Sequence, residues 1–116
     1  VYIFANSHKQ YITQFDGEER RDLAVAIKHT VGMLDSLFGY KFPYMMCMHN
    51  APVNTPPVWE SYHFHIELYP PLRAANKQQF MASSETGVWA HCNPTAPEEK
   101  AEEMRAALAR YLSSKA

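Results

Sequence analysis

One stretch, Tyr62-His-Phe-His-Ile-Glu-Leu-Tyr-Pro-Pro71, limits the possible folds of this chain more than any other. In an extended strand, successive side chains point to opposite faces of the sheet. One face then carries the apolar residues Phe64, Ile66 and Leu68. The other face carries His63, His65 and Glu67. We predict a strand over 59–69 that ends at the two prolines, with a core on one side and a chemically functional surface on the other.

Length and composition indicate a single soluble domain. The 116 residues are 47% hydrophobic and 20% charged, and they suffice to bury a core. A net charge of -1 provides no electrostatic attraction to nucleic acid or an anionic membrane, so we expect neither as a partner. Cys47 and Cys92 form no C-x-x-C pair, which favours reduced thiols and a cytoplasmic location. Because Val1-Tyr-Ile-Phe4 already looks like a strand, we expect one domain over 1–116 that is incomplete at its N-terminus.

The longest predicted helix begins at a capping box. Asp16 is a good N-cap and Glu19 stands three residues further on, where its side chain can reach back to the N-cap. Apolar residues then recur with helical spacing up to Phe38, and Gly39 is a typical C-cap. The pattern predicts a helix over 16–38.

The other elements follow from shorter signals. The apolar run 44–48 predicts a second strand, buried on both faces and with its three methionines in the core. Residues 76–81 suggest a short helical turn. The last helix should be capped by Thr95 and Glu98, with Pro97 in its first turn. This order predicts an α+β fold, an antiparallel sheet with helices packed on one side.

The polar face of the 59–69 strand is the first candidate site. His63, His65 and Glu67 are in register, and His49 lies at the end of the 44–48 strand. If the two strands pair antiparallel, His49 arrives near the same face. Imidazole nitrogens and a carboxylate suit zinc or iron(II). The alternative from spacing alone is a solvated strand face with no ligand.

The same strand resembles the active strand of the histidine-triad superfamily, which reads His-φ-His-φ-His-φ-φ with φ apolar. In that superfamily the central histidine forms a covalent nucleotidyl intermediate. Glu67 occupies the third histidine position here, and a carboxylate cannot donate a hydrogen bond to phosphate at neutral pH. The pattern leaves open a stand-alone nucleotide-binding protein or hydrolase with His65 as nucleophile.

The segment from Lys77 to Gly87 is a second candidate site. Lys77 can neutralise a phosphate, Phe80 can stack on a base and Glu85 can accept hydrogen bonds from ribose hydroxyls. The alternative is an ordinary polar surface helix and turn.

Taken together, these motifs resemble the C-terminal half of galactose-1-phosphate uridylyltransferase, a branch of the histidine-triad superfamily. The resemblance rests on His49-Asn-Ala-Pro52, His63-Phe-His-Ile-Glu-Leu-Tyr-Pro-Pro-Leu72, Phe80-Met81, Ser84-Glu-Thr-Gly87 and Pro97-Glu-Glu-Lys-Ala-Glu-Glu-Met-Arg105. The family's H-P-H-G-Q motif, which carries the nucleophilic histidine in the N-terminal half, is absent from this sequence. The resemblance therefore implies that this chain alone is inactive.

The resemblance also implies a set of site residues. The metal, zinc or iron, would be held by His49, His65 and Glu67, with His63 as a possible substitute and a further glutamate in the missing half. Nucleotide contacts across a dimer would come from four residues, two of which depart from the pattern of some members: Gln79, Phe80, Ser84 and Glu85. Gln79 replaces a lysine and Ser84 replaces a tyrosine.

The expected partners follow from the same resemblance. They are the N-terminal half of the transferase, a UDP-sugar and a hexose 1-phosphate, in a homodimer or a hetero-assembly. The family activity is exchange of a uridylyl group between glucose 1-phosphate and galactose 1-phosphate, in galactose metabolism. The alternatives are a related sugar-nucleotide phosphorylase, the stand-alone hydrolase and a non-catalytic metal-binding module.

Overall fold

The computed structural model describes residues 1–54, 60–78, 83–90 and 95–116. Two compact units divide the chain: residues 1–28 with 44–69, and residues 29–43 with 70–116. The elements are, in order, β1 (Tyr2–Phe4), a 3-10 turn (Ile12–Gln14), α1 (Gly17–Phe38), β2 (Met45–His49), β3 (His65–Tyr69), β4 (Leu72–Ala74), β5 (Lys77–Gln78), α2 (Ser83–Val88) and α3 (Pro97–Ser113). None of the described helices is long and apolar enough to cross a membrane. The α+β class predicted from the sequence is confirmed.

The first unit is built on a three-stranded antiparallel sheet with β3 in the centre, in the order β1-β3-β2. Ile66 lies opposite Ile3 on one side and Met48 on the other, which fixes the register of all three strands. Side chains alternate as predicted, because Phe64, Ile66 and Leu68 are almost completely buried. Phe15 packs edge-to-face on Phe64, with 5.5 Å between ring centroids. The apolar face of β3 is therefore the core face of this unit.

The predicted capping box at the start of α1 is present. The Asp16 carboxylate accepts hydrogen bonds from the backbone N–H groups of Glu18 and Glu19, each at 2.9 Å. In return, Glu19 accepts a hydrogen bond from the Asp16 backbone N–H at 3.0 Å and pairs with Lys9 at 3.0 Å. These bonds satisfy N–H groups that the first turn of a helix leaves unpaired.

The capping box makes stability depend on pH in a specific window. The hydrogen bond from Asp16, followed by the contacts with Lys9 and Ser7, lowers the pKa of Glu19 from 4.5 to about 2. Because the folded pKa lies below the unfolded one, the stabilisation is complete above about pH 4.5 and disappears as the pH falls towards 2. We expect Glu19→Gln to lower the free energy of unfolding at pH 7, with the difference from wild type shrinking below pH 4.5.

Urea denaturation at several pH values measures this difference. Glu18→Gln is the matched control, because the Glu18 side chain makes no hydrogen bond within the described part of the chain. A difference between wild type and Glu19→Gln that stays constant from pH 7 to pH 3 would refute the role assigned to the capping box.

Two strand predictions are wrong in part. Strand β2 was expected over 44–48 with both faces buried, but it spans Met45–His49 and its first four residues are exposed. Met45 is 60% exposed because β2 is an edge strand, and within the described residues no other strand pairs with its outer side. Strand β3 begins at His65 rather than at residue 59, since residues 60–61 form a turn and 55–59 lie outside the described residues.

In the second unit, Gly39 adopts φ 76°, the left-handed conformation expected of a C-cap, and so confirms that prediction. The Asp35 carboxylate accepts a hydrogen bond from the Phe42 backbone N–H at 2.8 Å. This bond ties the segment that follows α1 to the last turns of the helix. The Arg110 guanidinium donates to the Ser36 carbonyl at 3.0 Å, and Tyr111 packs directly against Gly32. These contacts join the last turns of α1 to α3.

Two predictions about the second unit are wrong. Residues 76–81 were expected to be helical, but β4 and β5 form a hairpin around Ala75-Asn76, and 79–81 lie outside the described residues. Asparagine and the preceding prolines favour turns, which outweighs the weak helical signal. The N-cap of α3 is Ala96 and not Thr95, although Pro97 is in the first turn as predicted.

Candidate metal centre on the open sheet face

Two strands bring three of the predicted ligands together. His49 ends β2 and lies directly opposite His65, the first residue of β3. Glu67 follows two positions later on the same face. One potential ligand atom from each residue lies within 4.8 Å of the others, and the part of the chain that the structure describes holds no other such cluster of three. The antiparallel pairing inferred from the sequence therefore produces the predicted cluster.

The spacing of the donor atoms suits a small cation. His49 Nε2 lies 3.4 Å from Glu67 Oε2, and His65 Nε2 lies 3.5 Å from Glu67 Oε1. Bonds of about 2.0–2.1 Å at tetrahedral angles place neighbouring ligand atoms about 3.3–3.4 Å apart. The two histidine–carboxylate separations are close to that value but involve different oxygens of Glu67, and the three ligand atoms lie within 4.8 Å of one another, so a bound ion would draw the side chains slightly closer together.

A backbone hydrogen bond sets the tautomer of His65. Its Nδ1 lies 2.9 Å from the carbonyl oxygen of His63. A carbonyl oxygen can only accept, so Nδ1 carries the proton and donates it. The lone pair is then on Nε2, which faces Glu67. A hydrogen bond of this kind is the usual means by which proteins orient a metal-binding histidine.

His49 carries a further indication of a ligand. Its ring stacks on His65 with 4.8 Å between centroids. Its Nε2 is buried, and among the described residues it has no hydrogen-bond partner despite the nearby Glu67 carboxylate. Burying a polar atom without a partner is costly, and a bound cation would remove that cost. The donor set, two imidazoles and a carboxylate, fits zinc or iron(II).

His63, the possible substitute ligand, is not part of the cluster, although its Nε2 is also buried without a hydrogen-bond partner among the described residues. Its ring packs edge-to-face against Phe4 at 5.9 Å and against His8 at 5.3 Å. It contributes its backbone carbonyl to His65, as described above, rather than its imidazole. The strand begins only at His65, so the regular alternation of side chains does not extend back to His63.

The predicted nucleotide-binding residues are described only in part. Gln79 and Phe80 lie outside the described residues. Ser84 and Glu85 lie in α2, and Glu85 is buried. Lys77 is exposed on β5. The nucleotide contacts therefore stay a prediction.

Sequence reasoning missed Tyr2 as a neighbour of the metal centre. Tyr2 lies opposite Glu67 in the β1–β3 pair, and its ring centroid is 5.9 Å from that of His65. The neighbouring Glu67 carboxylate raises the pKa of Tyr2. Predicting this neighbour would have required the register in which β1 pairs with β3. The short sequence Val1-Tyr-Ile-Phe4 predicts a strand but not its register.

Comparison with known proteins places this chain in a family. The family model described as "Galactose-1-phosphate uridyl transferase, C-terminal domain" matches residues 1–114. Galactose-1-phosphate uridylyltransferase of Thermotoga maritima is 41% identical over 105 residues, which are 90% of this chain and 33% of that protein. The protein of the same name from Rattus norvegicus is 36% identical over 106 residues, 89% of this chain and 28% of that protein.

A solved structure described as "Structure of uridylyltransferase" superposes with a TM-score of 0.83 at 35% identity, covering 94% of this chain and 34% of that one. The fold is thus that of part of a uridylyltransferase, a class of nucleotidyltransferases. The chain belongs to the galactose-1-phosphate uridyl transferase C-terminal domain family, which confirms the resemblance noted in the sequence. It spans about a third of the length of the curated relatives that it matches.

Proposed function

We propose that this chain is the C-terminal part of a galactose-1-phosphate uridylyltransferase that exchanges a uridylyl group between glucose 1-phosphate and galactose 1-phosphate. The observation that carries the proposal is the family match over residues 1–114, a range that contains the His49, His65 and Glu67 cluster. The nucleophilic histidine belongs to the N-terminal part of such an enzyme. This chain contributes a metal site and part of the nucleotide pocket.

The metal has a structural role in this proposal. His49, His65 and Glu67 hold zinc or iron, which joins the end of β2 to the start of β3. His65 is fixed by its bond to the His63 carbonyl, so its Nε2 is directed into the site before the ion binds. A glutamate from the N-terminal part completes the ligand set. The cluster thereby connects the two parts of the protein.

The sheet face that carries His49, His65 and Glu67 supports the proposal of an N-terminal partner. Around the metal cluster, the same face exposes large apolar and aromatic side chains from all three strands: Tyr2, Phe4, Met45 and Tyr69. Exposed apolar patches of this kind usually mark a contact surface. The exposed edge of β2 also leaves backbone groups for pairing with another strand. The N-terminal part of the transferase is the proposed occupant.

The nucleotide pocket is proposed for the second unit. Gln79, Phe80, Ser84 and Glu85 would contact the uridine nucleotide held by the neighbouring subunit of a homodimer or by a partner chain in a hetero-assembly. The substrates are then a UDP-sugar and a hexose 1-phosphate, and the location is the cytoplasm. Burial of Glu85 in α2 is consistent with a carboxylate held in a fixed position.

A covalent-adduct experiment distinguishes this proposal from a stand-alone hydrolase. The full chain is incubated with UDP-glucose, and its mass is measured after acid-free quenching. We expect no uridylyl adduct and no turnover by this chain alone, because Glu67 replaces the third histidine of the triad pattern. An adduct mapped to His65 would contradict the proposal and favour the hydrolase.

A further inference from the structure

The two histidines of the cluster face each other at the end of a strand pair. His49 is the last residue of β2 and His65 is the first residue of β3, so they form the terminal pair of this ladder. The ends of paired strands open more readily than their middles. The separation of the two imidazoles therefore depends on what holds the chain just outside the ladder.

One short segment, residues 9–12, is hydrogen-bonded to the chain beyond both strand ends. The Lys9 carbonyl accepts a hydrogen bond from the Phe64 backbone N–H at 2.6 Å, one residue before β3. The Gln10 carbonyl accepts one from the Ala51 backbone N–H at 2.9 Å, two residues after β2. The segment thus bridges the two strands that carry the imidazole ligands.

A side chain supplies a third bond to this segment. Asn50 directly follows His49, and its Oδ1 accepts a hydrogen bond from the Ile12 backbone N–H at 3.1 Å. Ile12 is the first residue of the 3-10 turn, where a backbone N–H has no partner within the turn. The two backbone bonds can form with any side chains, whereas this one requires an acceptor at position 50. Asn50 is exposed, so its contribution lies in this bond and not in core packing.

We infer that Asn50 is a positioning residue of the metal site, whose side chain fixes the end of β2 and so keeps His49 opposite His65. This inference rests on the metal site included in the proposed function. Asn50 does not ligate the ion. It acts through His49, in the way that hydrogen-bonded groups behind metal ligands commonly orient them. Without the bond, the chain after β2 has more conformations, and ordering them when the ion binds lowers the affinity.

The test removes this bond from each side in the full chain. Asn50→Leu keeps the approximate size of the side chain and lacks the acceptor. Ile12→Pro lacks the donor, and proline is tolerated at the first position of a helical turn. The preceding Tyr11 already has the extended backbone, φ -137° and ψ 146°, that is favoured before proline.

Zinc affinity is measured by competition with a chromogenic chelator, with no nucleotide or sugar present. We expect each single variant to lower the affinity about fivefold, the factor that corresponds to the net free energy of one hydrogen bond. The double variant should bind zinc no more weakly than either single variant, because all three lack the same bond.

Two controls separate positioning from a general structural effect. Ser7→Ala removes a side-chain hydrogen bond elsewhere in the same unit, to Glu19 at 2.9 Å, and should leave zinc affinity unchanged. Asn50→Asp keeps the acceptor and should retain the wild-type affinity. This variant is compared with wild type at about 1 M salt, where a Debye length of about 3 Å screens the added charge.

Additive losses in the double variant would overturn the inference, as would unchanged affinity in Asn50→Leu. A loss in Ser7→Ala or in Asn50→Asp as large as that in Asn50→Leu would overturn it too. A wild-type chain that binds no zinc would refute the metal site and the inference with it. Because no substrate is used, these outcomes are distinct from failure of the uridylyl-exchange proposal.

Discussion

Replacing His65 with alanine will remove stoichiometric metal from the full chain and leave a folded but less stable protein. His65 is central to the cluster, since it faces Glu67 at 3.5 Å and stacks on His49. Without it, only one imidazole and one carboxylate remain, too few to hold zinc or iron firmly in water. Elemental analysis of the purified variant measures the metal content directly.

The loss of stability follows from linkage between binding and folding. An ion that binds only the folded chain at 100 times its dissociation constant stabilises it by about 2.7 kcal/mol. That stabilisation should disappear in His65→Ala, and chelator should lower the stability of wild type but not of the variant. Thermal denaturation with and without chelator measures both effects.

His63→Ala is the matched control. It removes an imidazole two residues away while keeping the backbone carbonyl that orients His65. Because His63 packs on Phe4 and His8 and not on the cluster, metal content should be retained. Unchanged metal in His65→Ala, or equal loss in both variants, would refute the assigned ligand set.

Gly32→Ala will destabilise the second unit although alanine is the better helix former. A Cβ atom at position 32 would overlap the Tyr111 ring, which lies against this glycine. Overpacking of this kind costs about 1–3 kcal/mol, whereas the gain in helix propensity is about 1 kcal/mol. We expect a net loss of up to about 2 kcal/mol in the free energy of unfolding, measured by urea denaturation.

The sign of this effect should reverse when Tyr111 is removed. In a Tyr111→Ala background the added methyl group meets no ring, so Gly32→Ala should stabilise the chain by up to about 1 kcal/mol through helix propensity. A destabilising effect of the same size in both backgrounds would show that the contact between Gly32 and Tyr111 is not the cause.

Much of the candidate metal cluster could be predicted from the sequence because a strand imposes a strict alternation on its side chains. His65 and Glu67 are two positions apart, so the alternation places both side chains on the same face. Antiparallel pairing of β2 with β3 brings His49 to that face as well. The exclusion of His63 could not be predicted, since it depends on where the strand begins. Tyr2 was missed because its position opposite Glu67 depends on the register of β1.

The exposure of β2 shows the limit of composition as a guide to burial. An apolar run such as Met45-Met-Cys-Met48 predicts a buried strand, but burial depends on what covers it. This chain spans 33% of the Thermotoga maritima relative and 28% of the rat relative, so a strand that is covered in a longer relative can be exposed here. By contrast, the start and end of α1 depend on local signals at Asp16, Glu19 and Gly39, and these were predicted correctly.

The most direct test of the account is a uridylyl-exchange assay with UDP-glucose and galactose 1-phosphate. The full chain is assayed by itself and after mixing with the part of the Thermotoga maritima relative that precedes the matched region. We predict no exchange by either part alone and exchange after mixing, with His65→Ala reducing the recovered activity. Exchange by this chain alone would contradict the account, and so would a mixture that forms a complex but shows no exchange.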